Sequence, residues 1–204
     1  MTRKNYDEYE YLDTDLIYIY PDGQTLINKQ GIKDSADADQ NEHFHVNRRL
    51  IELVLEPILV NDMEDVRKIN AHLFGDIYEW AGNYRRVNIS KEGKPFTAMQ
   101  SFGTGEEYLN SLLTSFLNTA NEKADVIFHL ARILDNLNYM HPFREGNGRC
   151  QREVIRVLAL SKGYQLDIKV SADENIYHLY MDGTVHSRIN LLEQLIDQLL
   201  IKRV

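Results

Sequence analysis

Residues 126–137 constrain the fold more than any other stretch. Apolar side chains stand at Val126, Ile127, Leu130, Ala131, Ile133, Leu134 and Leu137. The steps of three and four are those of a helix. The stripe is too wide for a helix with one solvated face. A helix that buries most of its circumference needs other helices around it. The spacing therefore predicts a central helix over 122–139 that delivers its C-terminal end to His141. Pro142 disfavours helical geometry at the residue before it, so His141 opens a loop anchored to the core.

The rest of the chain supplies the surrounding helices. Ser35 is the expected N-cap of a first helix that keeps its spacing through Leu50, Leu53, Val54 and Ile58 to about residue 61. A second runs over 63–81, with Val66, Ile69, Leu73, Ile77 and Trp80 in step, and ends at Gly82. Then the period changes. Val87 and Ile89 alternate with polar residues, Lys91-Glu92-Gly93-Lys94 makes a turn, and Phe96 and Ala98 alternate again. This is the one strand pair the sequence predicts. Residues 102–105, FGTG, read as a flexible join. Further helices are expected over 106–119, 148–162, 172–182 and 187–201. Residues 1–34 predict an ordered, irregular arm, turning at Pro21-Asp22-Gly23 and carrying Leu16, Ile17, Tyr18, Ile19, Leu26 and Ile27. The expected fold class is all-α with one short β-hairpin. Residues 1–60 form an arm and helix packed on a core of 61–204, together one structural unit.

Composition narrows the function. A chain of 204 residues, 43% of them hydrophobic, can bury a real core. Its net charge of −8 at pH 7 argues against a nucleic-acid partner. A local basic cluster can still hold a small anion. Cys150 stands alone, which excludes an intrachain disulfide and a multi-cysteine zinc site. No apolar run approaches the roughly 18 residues of a membrane span. The first residues, MTRKNYDEYEYLDTD, lack a signal-peptide core. The expectation is a soluble, cytoplasmic protein with no membrane partner, compatible also with secretion that needs no signal peptide.

One segment concentrates chemistry. Residues 141–152 read HPFREGNGRCQR. Phe143 is a plausible buried anchor. Gly146 and Gly148 flank Asn147, so the backbone can take positive φ and approach a ligand closely. An amphipathic helix follows, with Cys150, Val154, Val157, Leu158 and Ser161 on one face. Arg149, Arg152 and Arg156 share another stripe, at i, i+3 and i+7. Cations at a helix N-terminus oppose its dipole, and an anion seated there removes the conflict. Pairing of the arginines with Glu145 and Glu153 is the plainer alternative. Glu145 can hold Mg²⁺ together with phosphate oxygens and water, or simply cap the helix. His141 is placed to act as a general base. No P-loop pattern is present, and no strand precedes the glycines as a dinucleotide fingerprint requires. Cys150 falls on the apolar face and reads as packing. His43 and His45, two apart, do not share a helix face and make a poor metal pair.

HPFREGNGRCQR resembles the signature of the Fic (filamentation induced by cAMP) family, H-P-F-x-[D/E]-G-N-G-R-x-x-R, at every fixed position. The upstream NISKEGKPF resembles the family's flap, IYEWAG its preceding segment, and YPDGQTLINKQGIKD the arm of its shorter bacterial members. The resemblance covers most of the chain. It implies a Fic-type helical bundle and protein AMPylation: AMP moves from ATP to a Ser, Thr or Tyr hydroxyl of a target protein. In that reading His141 is the general base and Glu145 holds Mg²⁺. Gly146, Asn147 and Gly148 form the anion hole, with Asn147 helping to orient the nucleotide. Arg149 contacts the β-phosphate and Arg152 the γ-phosphate. Lys91 is a nucleotide or target contact, and the target docks on the flap, about 87–98, by strand addition.

The chain departs from many members in one respect. It has no [S/T]-x-x-x-E-[G/N] motif, whose glutamate pairs with the second arginine and blocks the γ-phosphate site. The resemblance then implies control by a separate small antitoxin, with this chain as the toxin of a pair or a related effector. Two alternatives remain from sequence: transfer of another nucleotide or phosphate moiety on the same fold, and a nucleotide-binding regulatory module with little turnover.

Overall fold

In a computed structural model, residues 10–11, 17–21, 25–91, 93–170 and 173–203 are described. The described helices are α1 (Ser35–Leu55), α2 (Met63–Phe74), α3 (Phe102–Thr119), α4 (Lys123–Met140), α5 (Asn147–Ser161), α6 (Glu174–Val185) and α7 (Ile189–Leu199). Helix α4 packs against α3, α5, α6 and α7, the central position that its wide stripe predicts. Val126, Leu130, Ala131, Ile133, Leu134, Leu137 and Met140 are all buried along it. Truncating a buried leucine of this kind to alanine costs about 2–5 kcal/mol. The all-α class holds.

Several boundaries differ from the sequence reading, each for a local reason. The N-cap of α1 is Asp34, whose carboxylate accepts from the Asp37 N–H; Ser35 is already helical. Helix α1 stops at Leu55 rather than near 61, because Pro57 disfavours helix at Glu56, the C-cap. Val54 is solvent-exposed and Ile58 lies beyond the helix. Helix α2 ends at Phe74, not Ala81, with Gly75 as its C-cap. Residues 75–82 continue as a series of turns that bury Ile77 and Tyr78. Turns closed by Ile77 N–H to Phe74 carbonyl (2.9 Å) and Asn83 N–H to Trp80 carbonyl (3.0 Å) keep the helix-like repeat without a helix. Residues 102–105 are no join: they open α3, and Gly105 lies 3.5 Å, measured from an added Cβ, from the Met140 sulfur of α4. Helix α6 begins at Glu174 and reaches Val185.

The hairpin is present but shorter, and it has company. Strands β2 (Ile89–Lys91) and β3 (Lys94–Pro95) pair antiparallel, with Ser90 opposite Pro95 and Lys91 opposite Lys94. Gly93 takes φ of 70° in the turn between them, where Glu92 lies outside the described residues. Strand β1 (Glu10–Tyr11) adds to the other edge of β2, giving the order β1-β2-β3. A second pair, β4 (Tyr164–Gln165) with β5 (Ile201–Lys202), joins the end of α5 to the end of α7. The single strand pair expected from sequence is thus corrected to two small sheets. Within the arm, Ile19 bridges Leu26, and Tyr18 packs with Val87 and Ile89 beneath the flap. Ile17 and Ile27 stay exposed. Leu16, Asp22 and Gly23 of the expected arm lie outside the described residues, as do Ser171 and Ala172 before α6. Among the described residues no helix is long and apolar enough to cross a membrane.

Candidate active site

The site is built where α4 stops and α5 starts. His141 caps α4 in the left-handed region, at φ 46° and ψ 57°, a conformation that costs a residue with a Cβ about 1–2 kcal/mol. Pro142 drives it out of the helix, and Arg85 holds it there. The buried Arg85 side chain donates from Nε to the His141 carbonyl (2.9 Å), from Nη1 to the Val87 carbonyl (2.6 Å) and from Nη2 to the Thr97 carbonyl (2.6 Å). Its backbone N–H donates to the Pro142 carbonyl at 2.8 Å, and its guanidinium rests over the Phe102 ring. One guanidinium therefore ties both approaches of the flap to the backbone of His141.

The imidazole is equally constrained. Nδ1 lies 3.1 Å from the Asn138 carbonyl oxygen. A carbonyl can only accept, so Nδ1 carries the proton and Nε2 the lone pair. Phe96 of the flap stacks on the ring, with centroids 3.9 Å apart and planes 18° from parallel. Burial pushes the imidazole down to about 3; the Asn138 carbonyl opposes this, and the charges of Arg85 and Lys91 add to it. The ring is neutral at physiological pH. Lys91 of β2 is thereby placed within electrostatic reach of His141.

The loop that follows is closed by its own side chains. Phe143 is buried, and Asn147 clasps it: Oδ1 accepts from the Phe143 N–H at 2.9 Å and Nδ2 donates to its carbonyl at 2.7 Å. Gly146 has φ of 77°, and a Cβ there would stand 2.0 Å from Phe74 Cε2. No other residue fits. Asn70 of α2 donates to the Glu145 carbonyl at 3.2 Å and accepts from the Gly82 N–H at 2.8 Å, locking the turns after α2 to this loop. No side chain caps α5, which leaves the N–H groups of its first turn to an anion.

Beyond the loop lie the charges. Glu145 Oε1 accepts from the Gly146 N–H (2.6 Å) and from Arg149 Nη2 (3.1 Å), while Oε2 takes no hydrogen bond from the described residues. Arg149 lies over the Phe74 ring, and its Nη2 also donates to Glu42 of α1 at 2.6 Å. Arg152 folds back beside Gly148, over the Tyr180 ring, and its one hydrogen bond among the described residues goes to the Tyr180 hydroxyl, at 3.4 Å. Among the described residues no carboxylate lies within 4.0 Å of it. Arg156, by contrast, is held twice by Glu153 (2.6 and 2.7 Å) and donates to the Leu53 carbonyl. Arg149, Arg152 and Arg156 open together onto a cavity of about 570 Å³ that Leu50 of α1, Lys169 and Tyr177 also line.

The structure thus brings His141, Glu145, Gly146, Asn147, Gly148, Arg149 and Arg152 to one junction, with Lys91 on the strand above it. Glu153 takes Arg156 as the plainer pairing anticipates, Glu145 shares Arg149 with Glu42, and Arg152 makes no ion pair among the described residues. Cys150 is buried and donates to the Val66 carbonyl at 3.4 Å; burial pushes its thiol well above the ordinary range. His43 sits near the Asp39 carbonyl and His45 near Asp76. No metal-binding cluster of three or more His, Cys, Asp or Glu occurs among the described residues. Sequence reasoning missed Glu42, Asn70, Arg85, Phe96 as a partner of the imidazole, and Tyr180. Only Phe96 carried a signal, as an apolar residue alternating into the flap.

Known proteins resemble this chain in sequence and in fold. The Fic/DOC family model matches residues 61–159. The protein adenylyltransferase VbhT of Bartonella schoenbuchensis is 35% identical over 161 residues, covering 74% of this chain and 32% of the relative. The chain therefore spans about a third of that protein's length. The probable protein adenylyltransferase Fic of Escherichia coli K12 is 31% identical over 153 residues, covering 73% of this chain and 74% of the relative. Among solved structures, the N-terminal Fic domain of an effector from Bartonella sp. AR 15-3 has a TM-score of 0.80 at 24% identity, covering 90% of each chain. BepC of Bartonella tribocorum, solved with bound AMPPNP, has a TM-score of 0.78 at 21% identity, covering 92% of this chain and 97% of that one. The two structures share the fold, the two relatives share the sequence, and the chain belongs to the Fic/DOC family.

Proposed function

We propose that this chain is a protein adenylyltransferase that moves AMP from ATP to a Ser, Thr or Tyr hydroxyl of a target protein and releases pyrophosphate. One observation carries the reading: a neutral imidazole stands at one end of a glycine turn, with two arginines and an uncapped helix N-terminus at the other. That spacing suits a reaction in which a proton leaves one side of a phosphorus atom and negative charge departs on the other. The names of the two relatives support the chemistry, and the nucleotide bound in BepC supports the ligand class.

The target hydroxyl oxygen attacks the α-phosphorus of ATP. Nε2 of His141 takes its proton. The new O–P bond forms as the bond from the α-phosphorus to the pyrophosphate oxygen breaks. The Gly146–Asn147–Gly148 turn forms the anion hole for the α-phosphate, Asn147 and Gly148 presenting their backbone N–H groups, while Arg149 takes the β-phosphate and Arg152 the γ-phosphate. Glu145 fits Mg²⁺ that arrives with the nucleotide, because one of its oxygens is left over from the protein's own bonds and a single carboxylate beside phosphates is the usual arrangement. Glu145 would hold the ion there, and the ion would supply positive charge against the phosphates. Lys91 serves the nucleotide or the target from the flap. The target lies along β3, the edge of the small sheet that β1 leaves open, and pairs by strand addition.

Arg152, without a carboxylate among the described residues, is the natural place for control. A separate small antitoxin that supplies a carboxylate to Arg152 would block the γ-phosphate, with this chain as the toxin. Co-expression with each neighbouring small open reading frame tests this: one of them should abolish target labelling, and unchanged labelling with all of them overturns it. For the transfer itself, lysate is incubated with ATP labelled at the α- or the γ-phosphate. Label on protein from α alone, lost in His141→Ala, is the expected result. Label from γ alone would sink AMP transfer.

A further inference from the structure

We infer that Glu42, on α1 and outside the motif, is a positioning residue that fixes the Arg149 guanidinium for the nucleotide; the inference rests on the nucleotide-binding reading above. Its two carboxylate oxygens do separate jobs. Oε1 accepts from Arg149 Nη2 at 2.6 Å and Oε2 accepts from the Tyr78 hydroxyl at 2.5 Å. Tyr78 is buried in the turns after α2 and stacks on Trp80 at 4.4 Å, so its hydroxyl is a fixed point. Phe74 lies beneath the same guanidinium, 4.7 Å away. Glu42 is therefore held from one side and holds Arg149 from the other, and its side chain is only 14% exposed.

The significance lies in the second carboxylate on the same nitrogen. Arg149 Nη2 also donates to Glu145, at the longer distance of 3.1 Å. Glu145 is the residue that fits the cation. A cation on the spare Oε2 draws on the charge of Glu145 and so weakens its already longer bond to Arg149. Glu42 is the carboxylate left at full strength, and it keeps the guanidinium aimed when the phosphates arrive. Without it, Arg149 has Glu145 as its one carboxylate partner among the described residues. The arginine then competes with the cation for that side chain. Removing Glu42 should thus weaken nucleotide binding and raise the demand for magnesium together, which a purely structural contact between α1 and α5 would not do.

The test uses Glu42→Gln, which keeps shape and an acceptor for Tyr78 but removes the charge. Binding of a non-hydrolysable ATP analogue is measured by calorimetry across a magnesium series, with labelling kinetics alongside. The expected result is analogue binding weaker by about 10-fold or more, the usual consequence of losing such a support. The magnesium needed for half-maximal binding should rise several-fold. KM for ATP should rise more than kcat falls, and Glu42→Asp should recover part of the loss. In the ligand-free protein, nitrogen NMR of the arginine side chains should show the Arg149 Nε–H exchanging faster in Glu42→Gln. Where Glu42→Gln lacks a folding transition, Tyr78→Phe takes its place, with the same effects in smaller amount. A wild type that binds the analogue, matched by the variant in affinity and magnesium demand, overturns the inference alone. A wild type that binds no analogue overturns the nucleotide reading and this inference with it.

Discussion

The two ends of the α4–α5 junction are built on opposite plans. At the His141 end every polar group has protein around it. The ring is covered by Phe96, its Nδ1 faces Asn138, and its carbonyl is held by Arg85. At the Arg152 end a guanidinium donates to one hydroxyl among the described residues, at 3.4 Å, and faces a cavity. On the proposed function, the difference separates two tasks. A base must be in place before its substrate arrives, because a small misplacement is costly to rate. A cation that meets a leaving pyrophosphate can be completed by the ligand itself. Arg149 lies between the extremes, paired with two carboxylates and still lining the cavity.

The sharpest way to break this comparison is at the base. His141→Ala should lower target labelling by about 10²–10⁴-fold, the usual worth of a general base, with analogue affinity retained. Retained labelling would remove the catalytic meaning of the buried end. The next effect is on folding. Arg85→Met should destabilise the protein by about 3 kcal/mol in chemical denaturation, since it strands several buried carbonyls at a cost of about 1–3 kcal/mol each, partly relieved by relaxation. At the other end Arg152→Ala should raise KM for ATP about 10-fold, as the loss of one charge-assisted contact implies. Its stability should stay within about 0.5 kcal/mol of the wild type. A large stability loss there would make Arg152 structural and erase the contrast.

The smallest effect is a pH dependence. The folded-state pKa of His141 lies near 3, below its ordinary value of 6.5. The unfolded chain therefore takes up this proton first as pH falls. The stability that the neutral ring contributes is fully present above about pH 6.5 and is lost progressively down to about pH 3. Between pH 7 and 6 the loss is on the order of 0.7 kcal/mol. It is read as the difference between the denaturation curves of the wild type and His141→Ala, which cancels the remaining histidines. An identical pH slope in both proteins would mean that the ring is solvated.

The legible parts of the molecule were those carried by local spacing. The stripe from Val126 to Leu137 placed α4 at the centre, and the spacing of Arg149, Arg152 and Arg156 put them on one side of α5 facing one cavity. The illegible parts were long-range pairs. Glu42 meets Arg149 across 107 residues and Arg85 meets His141 across 56, and nothing in either neighbourhood announces the other. Periodicity also misled where turns imitate a helix. Ile77 continues the rhythm of Val66, Ile69 and Leu73 because it packs against the same core, although α2 has ended at Phe74. Strands of two residues, such as β1, β4 and β5, have no alternation to detect. The end of α1 was legible after all, in Pro57, but the apolar spacing outvoted it.

On the proposed function, the Phe96–His141 stack would bear on how ATP is used. Water is the most abundant hydroxyl near any bound nucleotide, and a ready base would spend ATP on hydrolysis. On the proposed function, Phe96 over the ring would shield His141 until the flap segment is displaced. A target strand that pairs with β3 engages the same flap that carries Phe96. The protein's partner would then uncover the base in the act of docking, so that turnover is conditional on the right hydroxyl being present.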